Sequence, residues 1–385
     1  MRSKLLLIGS LICCALASWL LKGFNPYYYD ILISVGIGII LATGLNLVNG
    51  YTGQFSLGHA GFMAVGAYLG SALSLEIQFG YPDWPNWAGD AFYWWPWDGF
   101  LTVVEAVLRI AVWLHNEFVT VTHSLPDTAR FVIALFYGGA IASIAGLGIG
   151  VPSLRLKGDY LAIVTLGFNE IIKVVIQNAE PLGAQRGLGG MIRQTNLFWT
   201  FGFAAITIYA VLSLVNSTYG RGFLAVRDDE VAAEAMGINT TKYKVLAFVI
   251  AAFFAGIAGG LYAHFKQFIT PEGFNFLRSV DIVVMVILGG MGNTVGVCFA
   301  AVLLTILPEV LRVFAKSEVL DRIIHFIYQG LSTEHFATAS AKTRELFENR
   351  MILYSLLLII LMLTRPQGLF GGLGLPRRRE QVEKK

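Results

Sequence analysis

Residues 42–67 read ATGLNLVNGYTGQFSLGHAGFMAVGA, a stretch apolar enough to lie in a bilayer yet interrupted by Gly44, Gly50, Gly53, Gly58, Gly61 and Gly66. Glycine lets helices approach closely and lets a helix break. Broken backbone survives at membrane depth only where protein or a watery cavity satisfies its polar groups. A simple anchor has no use for such a segment. The pattern therefore constrains the chain to a helical membrane fold with interrupted helices, and it points to a pathway rather than an attachment.

The rest of the chain agrees. Hydrophobic residues make up 56% and charged residues 14% of the 385, whereas soluble chains carry about 25% charged residues. Several apolar runs approach the ~20 residues that cross a bilayer as helix, and the alternating pattern of a β-barrel is absent. The expected fold is all-α, a polytopic transmembrane helical bundle forming one domain over residues 1–385. About ten membrane segments are expected, near 5–21, 31–48, 59–79, 131–150, 160–178, 198–217, 245–265, 280–292, 294–314 and 351–364. The eighth is short and ends in glycines, so it is a candidate re-entrant piece. Cys13, Cys14 and Cys298 sit in apolar runs without metal-ligand spacing and read as small buried hydrophobes. Residues 1–17 have some features of a cleaved leader. The apolar run continues through Trp19, Leu20 and Leu21, which favours a retained span.

Charge placement orients the chain. With the N-terminus in the cytoplasm, the inward pieces hold Arg2, Lys4, Arg155, Lys157, Arg221, Arg227, Lys242, Lys244 and a tail with Arg377, Arg378 and Arg379. The outward pieces spread a similar basic total over a longer stretch, as the positive-inside rule requires. Both termini are then cytoplasmic, and two long loops face outward. The first, about 80–130, holds Trp84, Trp87, Trp94, Trp95 and Trp97, and its residues 100–118 read as an interfacial helix. The second, about 315–350, is charge-balanced and reads as a folded or amphipathic excursion.

Three groups of residues could carry mechanism. In the inward loop 219–244, Asp228 can cap a short helix, Asp229 and Glu230 suit its first turn, and Gly237 can end it. Val231, Ala232, Ala235 and Met236 form a small apolar strip with Glu234 beside it. Such a strip suits docking into a partner's groove; a plain amphipathic connector fits the residues equally well. Along the glycine-rich stretch, Asn46, Asn49, Thr52, Gln54, Ser56 and His59 supply polarity without fixed charge. They suit a path that must release what it admits, and they equally suit capping and packing. The similar piece at 289–296 hints at repeated halves with the path near their junction. Finally, Glu170 and Lys173 are three apart on one helical face and can neutralise each other, while Asp281 lies at a span edge.

The segments 44–66, 157–177 (KGDYLAIVTLGFNEIIKVVIQ), 183–190, 220–246, 247–263, 285–304 and 363–370 (LTRPQGLF) together resemble the membrane permeases of branched-chain amino acid ABC importers, of the LivM type. The resemblance covers most of the chain. It implies that 227–239 is a coupling segment contacting an ATPase subunit, with Val231-Ala232-Ala233 followed by Gly237 and Val in place of the usual Glu. Arg227, Asp229, Glu230, Ala232, Ala233, Glu234, Ala235, Met236 and Gly237 would carry that contact, and Ala233→Arg is expected to uncouple transport with the fold intact. The implied partners are a related second permease subunit, two cytoplasmic ATPase subunits and an extracytoplasmic solute-binding protein. The implied setting is the plasma (inner) membrane and the implied cargo leucine, isoleucine or valine.

Two absences agree with that reading. No GxxxxGK[ST] motif is present, so energy must come from another polypeptide. His59, His115, His123, His264, His325 and His335 are scattered, and no metal cluster or nucleophile–base pattern suggests an enzyme. No cofactor and no nucleic-acid partner is expected. A related importer for urea, amides or other amino acids, or a gradient-driven secondary transporter, stands as the alternative.

Overall fold

In a computed structural model the described residues are 2–20, 25–79, 125–153, 159–315, 350–365 and 368–369. A helix stands at each of the ten predicted segments. These are α1 (Arg2–Leu20), α2 (Pro26–Asn46), α3 (His59–Phe79), α4 (Asp127–Ser153), α5 (Asp159–Asn178) and α6 (Leu197–Val215), then α9 (Thr240–Lys266), α10 (Phe276–Gly289), α11 (Thr294–Ala315) and α12 (Arg350–Thr364). Two short helices, α7 (Thr218–Asp228) and α8 (Glu230–Ala235), lie between α6 and α9. The chain is a multi-pass helical membrane protein. Among the described residues, six helices rather than ten are long and apolar enough to cross: α2 with its continuation to Tyr51, α4, α5, α6, α9 and α11. At 14 residues α10 falls short of the ~20 that span a bilayer.

Helix α2 is the central post. Asn25 caps it by accepting from the Tyr27 N–H, and Pro26 supplies a preset φ at the first helical position. Its apolar residues run all round rather than along one stripe, the mark of a helix surrounded by protein, and Ile33, Ile37, Ile40, Leu41 and Leu45 are fully buried. It packs against α6, α9, α10 and α11, while α1 lies against α6.

Beside it, α3, α4 and α9 form the tightest group. Small residues make that possible. A Cβ on Gly66 would collide with the Gly256 backbone, and one on Gly259 with the Met63 carbonyl. Lipid tails are as apolar as any side chain, so helices in a membrane are held by this kind of close van der Waals packing. We expect Gly66→Leu to prevent recovery of a monodisperse protein in detergent size-exclusion chromatography. Gly9→Leu, where a Cβ meets nothing within 4 Å, should leave the elution profile unchanged.

At one end of the bundle a two-residue antiparallel pairing, Leu188 with Ile269 and Gly189 with Phe268, ties the α5–α6 connection to the α9–α10 connection. The cysteines differ from expectation. Cys13 is exposed on α1, and Cys298 is partly buried with its Sγ 3.6 Å from Thr43 Oγ1. A single small apolar run does not say which side of a helix packs. Residues 80–124 of the Trp-rich loop, with the interfacial helix expected at 100–118, residues 316–349 of the second loop, Arg155, Lys157 and the Arg377–379 cluster lie outside the described residues.

Candidate functional site

The glycine-rich stretch is a broken helix. After Asn46 the chain widens into a π-helical turn, Leu47–Tyr51, then runs without regular structure through 52–58 before α3 starts at His59. Protein groups satisfy the freed backbone. The Gln54 N–H donates to the Val48 carbonyl (3.1 Å) and the Ser56 N–H to Asn49 Oδ1 (3.2 Å). Two other helices hold the start of α3: the Leu57 N–H donates to Thr165 Oγ1 of α5 (3.0 Å) and the Ala60 N–H to Ser279 Oγ of α10 (3.1 Å). Thr52 donates its hydroxyl back to the Val48 carbonyl (2.8 Å). The side chains of Asn49 and Thr52 thus each bond a backbone group of the break.

The second glycine piece meets the first. The turn between α10 and α11 brings the Gly292 N–H to Asn46 Oδ1 (2.9 Å), and Tyr51 shares a hydrogen bond with Thr294 (2.8 Å). A Cβ on Gly50 would overlap both Asn46 Oδ1 and the Gly292 nitrogen. The two interrupted elements therefore form one seam, and only glycine permits its closeness.

Asn46, Asn49, Thr52, Gln54, Ser56 and His59 are all buried. Among the described residues, Asn46 Nδ2, Asn49 Nδ2, both polar atoms of the Gln54 side chain, His59 Nε2 and Asn169 Oδ1 are buried with no hydrogen-bond partner. Each such orphan costs about 1–3 kcal/mol. Several strung along one break make a place where a hydrogen-bonding guest is favoured over bare packing. Asn169 is an addition to the expected residues. It sits on α5 with its Oδ1 3.1 Å from where a Cβ of Gly61 would lie, and its signal was a small amide in an apolar span next to Glu170.

The charges are placed less simply than expected. Lys173 Nζ is 3.9 Å from Glu170 but 3.1 Å from Glu272, which also accepts from Gln177 (3.1 Å). The expected pair is the edge of a four-residue cluster of Glu170, Lys173, Glu272 and Gln177. Asp281 is exposed on α10. A second pair, Glu309 and Arg312 at 3.6 Å, lies on α11 inside an expected span, and Tyr27 donates its hydroxyl to Glu309. Neither residue is among the expected intramembrane charges, because the run around them is otherwise apolar.

The loop 219–244 holds two helices where one was expected. Ser217 caps α7 by accepting from the Tyr219 N–H. The chain then breaks at Asp229, whose carboxylate accepts from the Val231 N–H (2.9 Å) and the Ala232 N–H (3.0 Å) and so caps α8. The cap is therefore Asp229 rather than Asp228. Asp228 completes α7 and pairs with Arg227 (2.9 Å). Gly237 ends α8 as expected: its N–H donates to the Glu234 carbonyl and that of Ile238 to Ala233.

Side chains then clip α8 to α9. Lys244 Nζ reaches Glu230 at 2.6 Å, and Thr240 donates to Glu234 at 2.7 Å. The outward face carries Val231, Ala232, Ala235 and Met236. Ala233 is 4% exposed and turned inward, so it leaves the contact strip, and an arginine there would wedge α8 off its support rather than block a partner. Breaking a buried pair by removing one partner costs roughly 3–5 kcal/mol. Glu230 keeps a quarter of its side chain in solvent, so about 1–2 kcal/mol is expected for Lys244→Met after screening. That loss should appear as faster amide exchange at 230–238 with protection along α2 and α9 unchanged.

Residues 27–362 match the family described as "Branched-chain amino acid transport system / permease component". The chain is similar to the high-affinity branched-chain amino acid transport system permease protein LivM of Salmonella typhimurium, with 29% identity covering 92% of this chain and 72% of that protein. The Escherichia coli protein of the same name matches at the same identity and coverage. A probable branched-chain amino acid transport permease protein LivM of Methanocaldococcus jannaschii is 27% identical over 65% of this chain and 79% of its own length.

Proposed function

The chain belongs to the family of permease components of branched-chain amino acid transport systems, and from that premise we propose that it is a membrane subunit of an ATP-binding-cassette importer for leucine, isoleucine and valine. It forms half of the translocation path beside a related second permease. Two ATPase subunits grip α8 from the cytoplasm, and a solute-binding protein delivers cargo on the opposite side. The setting is the plasma (inner) membrane, with both termini and the α7–α8 segment cytoplasmic. The chain itself performs no chemistry; the hydrolysis happens in its partners.

One observation carries this reading. A short, well-capped helix with an exposed apolar strip is clipped through Glu230–Lys244 and Glu234–Thr240 to α9, and α9 packs against α3 and α4. A push on α8 therefore reaches the helix that begins at the break. Along that break the side chains of Asn46, Asn49, Gln54, His59 and Asn169 offer neutral donors and acceptors. Neutral polar groups can exchange hydrogen bonds with the ammonium and carboxylate of an amino acid without holding either as an ion pair, which favours passage over tight binding.

The test is uptake of labelled leucine into proteoliposomes holding the full set of subunits. We expect uptake to require ATP on the side that α8 faces, and to be competed by isoleucine and valine but not by urea or acetamide. Uptake by this chain alone down a gradient would overturn the importer reading. Competition by urea or acetamide in place of the branched-chain amino acids would overturn the cargo.

A further inference from the structure

Arg227 occupies a position that docking alone does not explain. It lies in the last turn of α7, two residues before the carboxylate that caps α8. Its side chain runs inward instead of out along the docking face. The Arg227 Cγ lies 2.9 Å, and its Cα 3.4 Å, from where a Cβ of Gly53 would be. Gly53 belongs to the break between α2 and α3. Arg227 Nη1 lies 3.2 Å from where a Cβ of Gly292 would be, at the α10–α11 turn. The same guanidinium donates to Asp228 Oδ1 through Nε (3.2 Å) and Nη2 (2.9 Å).

One side chain therefore touches both interrupted elements at the place where Asn46–Gly292 and Tyr51–Thr294 join them, and it is tethered to the residue beside the α8 cap. The Arg227 stem occupies the room that a Gly53 side chain would need, and its Nη1 that of a Gly292 side chain. The Asp229 N–H donates to the Ala225 carbonyl, which holds the residue that caps α8 to the last turn of α7, and α8 starts at once. A displacement of α8 therefore pulls on the turn that carries Arg227. This second connection reaches the seam directly and bypasses the clip to α9.

We infer that Arg227 is the latch that ties the position of α8 to the closure of the glycine seam, so that the path opens inward only when the ATPases move α8. The inference rests on the coupling role proposed for α8. Arg227 is a positioning residue and touches no solute. Without it, α8 can move while the seam stays shut.

The full importer carrying Arg227→Ala, Arg227→Lys or neither is reconstituted. ATP hydrolysed per leucine imported, co-purification of the ATPase subunits and the thermal midpoint are measured. For Arg227→Ala we expect intact co-purification, an unchanged midpoint and a rise of about ten-fold in ATP spent per leucine, in the usual range of coupling effects. Arg227→Lys should recover part of the ratio, since it keeps the stem against Gly53 but loses the planar fork to Asp228. An unchanged ratio in Arg227→Ala overturns the latch. So does loss of ATPase binding in that variant, which would make Arg227 a docking residue. If Arg227→Ala does not fold, the Arg227→Lys ratio decides: a wild-type value counts against the latch and an intermediate one supports it. Wild-type protein that binds no ATPase subunit counts against the proposed function itself, whatever the variants do.

Discussion

Met236→Asp should abolish ATPase co-purification and cut ATP-driven uptake by about thirty-fold or more, the loss expected when a contact worth about 2 kcal/mol is removed from the centre of an interface. Met236 is 82% exposed at the end of α8 and Val231 is 68% exposed near its start, so both are available to a partner. The substitution puts a charge into an apolar contact without touching the bonds that hold the helix: the Asp229 cap, the Gly237 terminus, Glu230–Lys244 and Glu234–Thr240. Protein levels in the membrane and the thermal midpoint should therefore match wild type. Ala233→Arg makes the contrast, because its side chain must enter the space between α8 and the bundle, and it should lower the midpoint as well as uptake. If Met236→Asp binds the ATPase subunits and transports normally, α8 is a connector and the coupling role is lost.

The second large effect is expected at the seam. In Gly50→Ala a single methyl group meets the Gly292 backbone nitrogen and Asn46 Oδ1, two groups now hydrogen-bonded to each other. Neither is the free end of a flexible chain, so the α10–α11 turn must move away from the break. Overpacking of this kind costs about 1–3 kcal/mol, and a further buried donor and acceptor lose their bond. We expect uptake to fall about ten-fold or more, with the thermal midpoint lowered by several degrees. Gly167→Ala on α5, where the added atom meets nothing within 4 Å, should transport as wild type. Normal uptake by Gly50→Ala would mean that closeness at the seam does not matter to transport.

Much of this site is legible without coordinates. The break before His59 follows from glycines and small polar residues between two apolar runs, and α3 begins where that pattern predicts. A helix in the 219–244 loop follows from an aspartate, a run of alanines and a glycine. Which aspartate caps it does not follow. Asp228 and Asp229 are equally good caps in isolation, and the choice is made by where α7 stops, through its packing on α9 and on the π-helical turn. The same holds for Ala233 against Ala232 and Ala235: three alanines are chemically identical, and only the direction in which α9 lies sorts them into one inner and two outer positions.

The sequence by itself determined most of the elements: the long apolar helices, the break before His59, and which residues are polar without charge. Those are properties of contiguous stretches, set by apolar length, capping chemistry and glycine. Only the tertiary structure decided that residue 46 meets residue 292, that Arg227 lies over both turns, and that Asn169 joins the orphaned amides of the break. Contacts between segments so far apart in the chain depend on how close two backbones can come and on which faces they turn to each other. That information belongs to the packed bundle and to no single stretch of it.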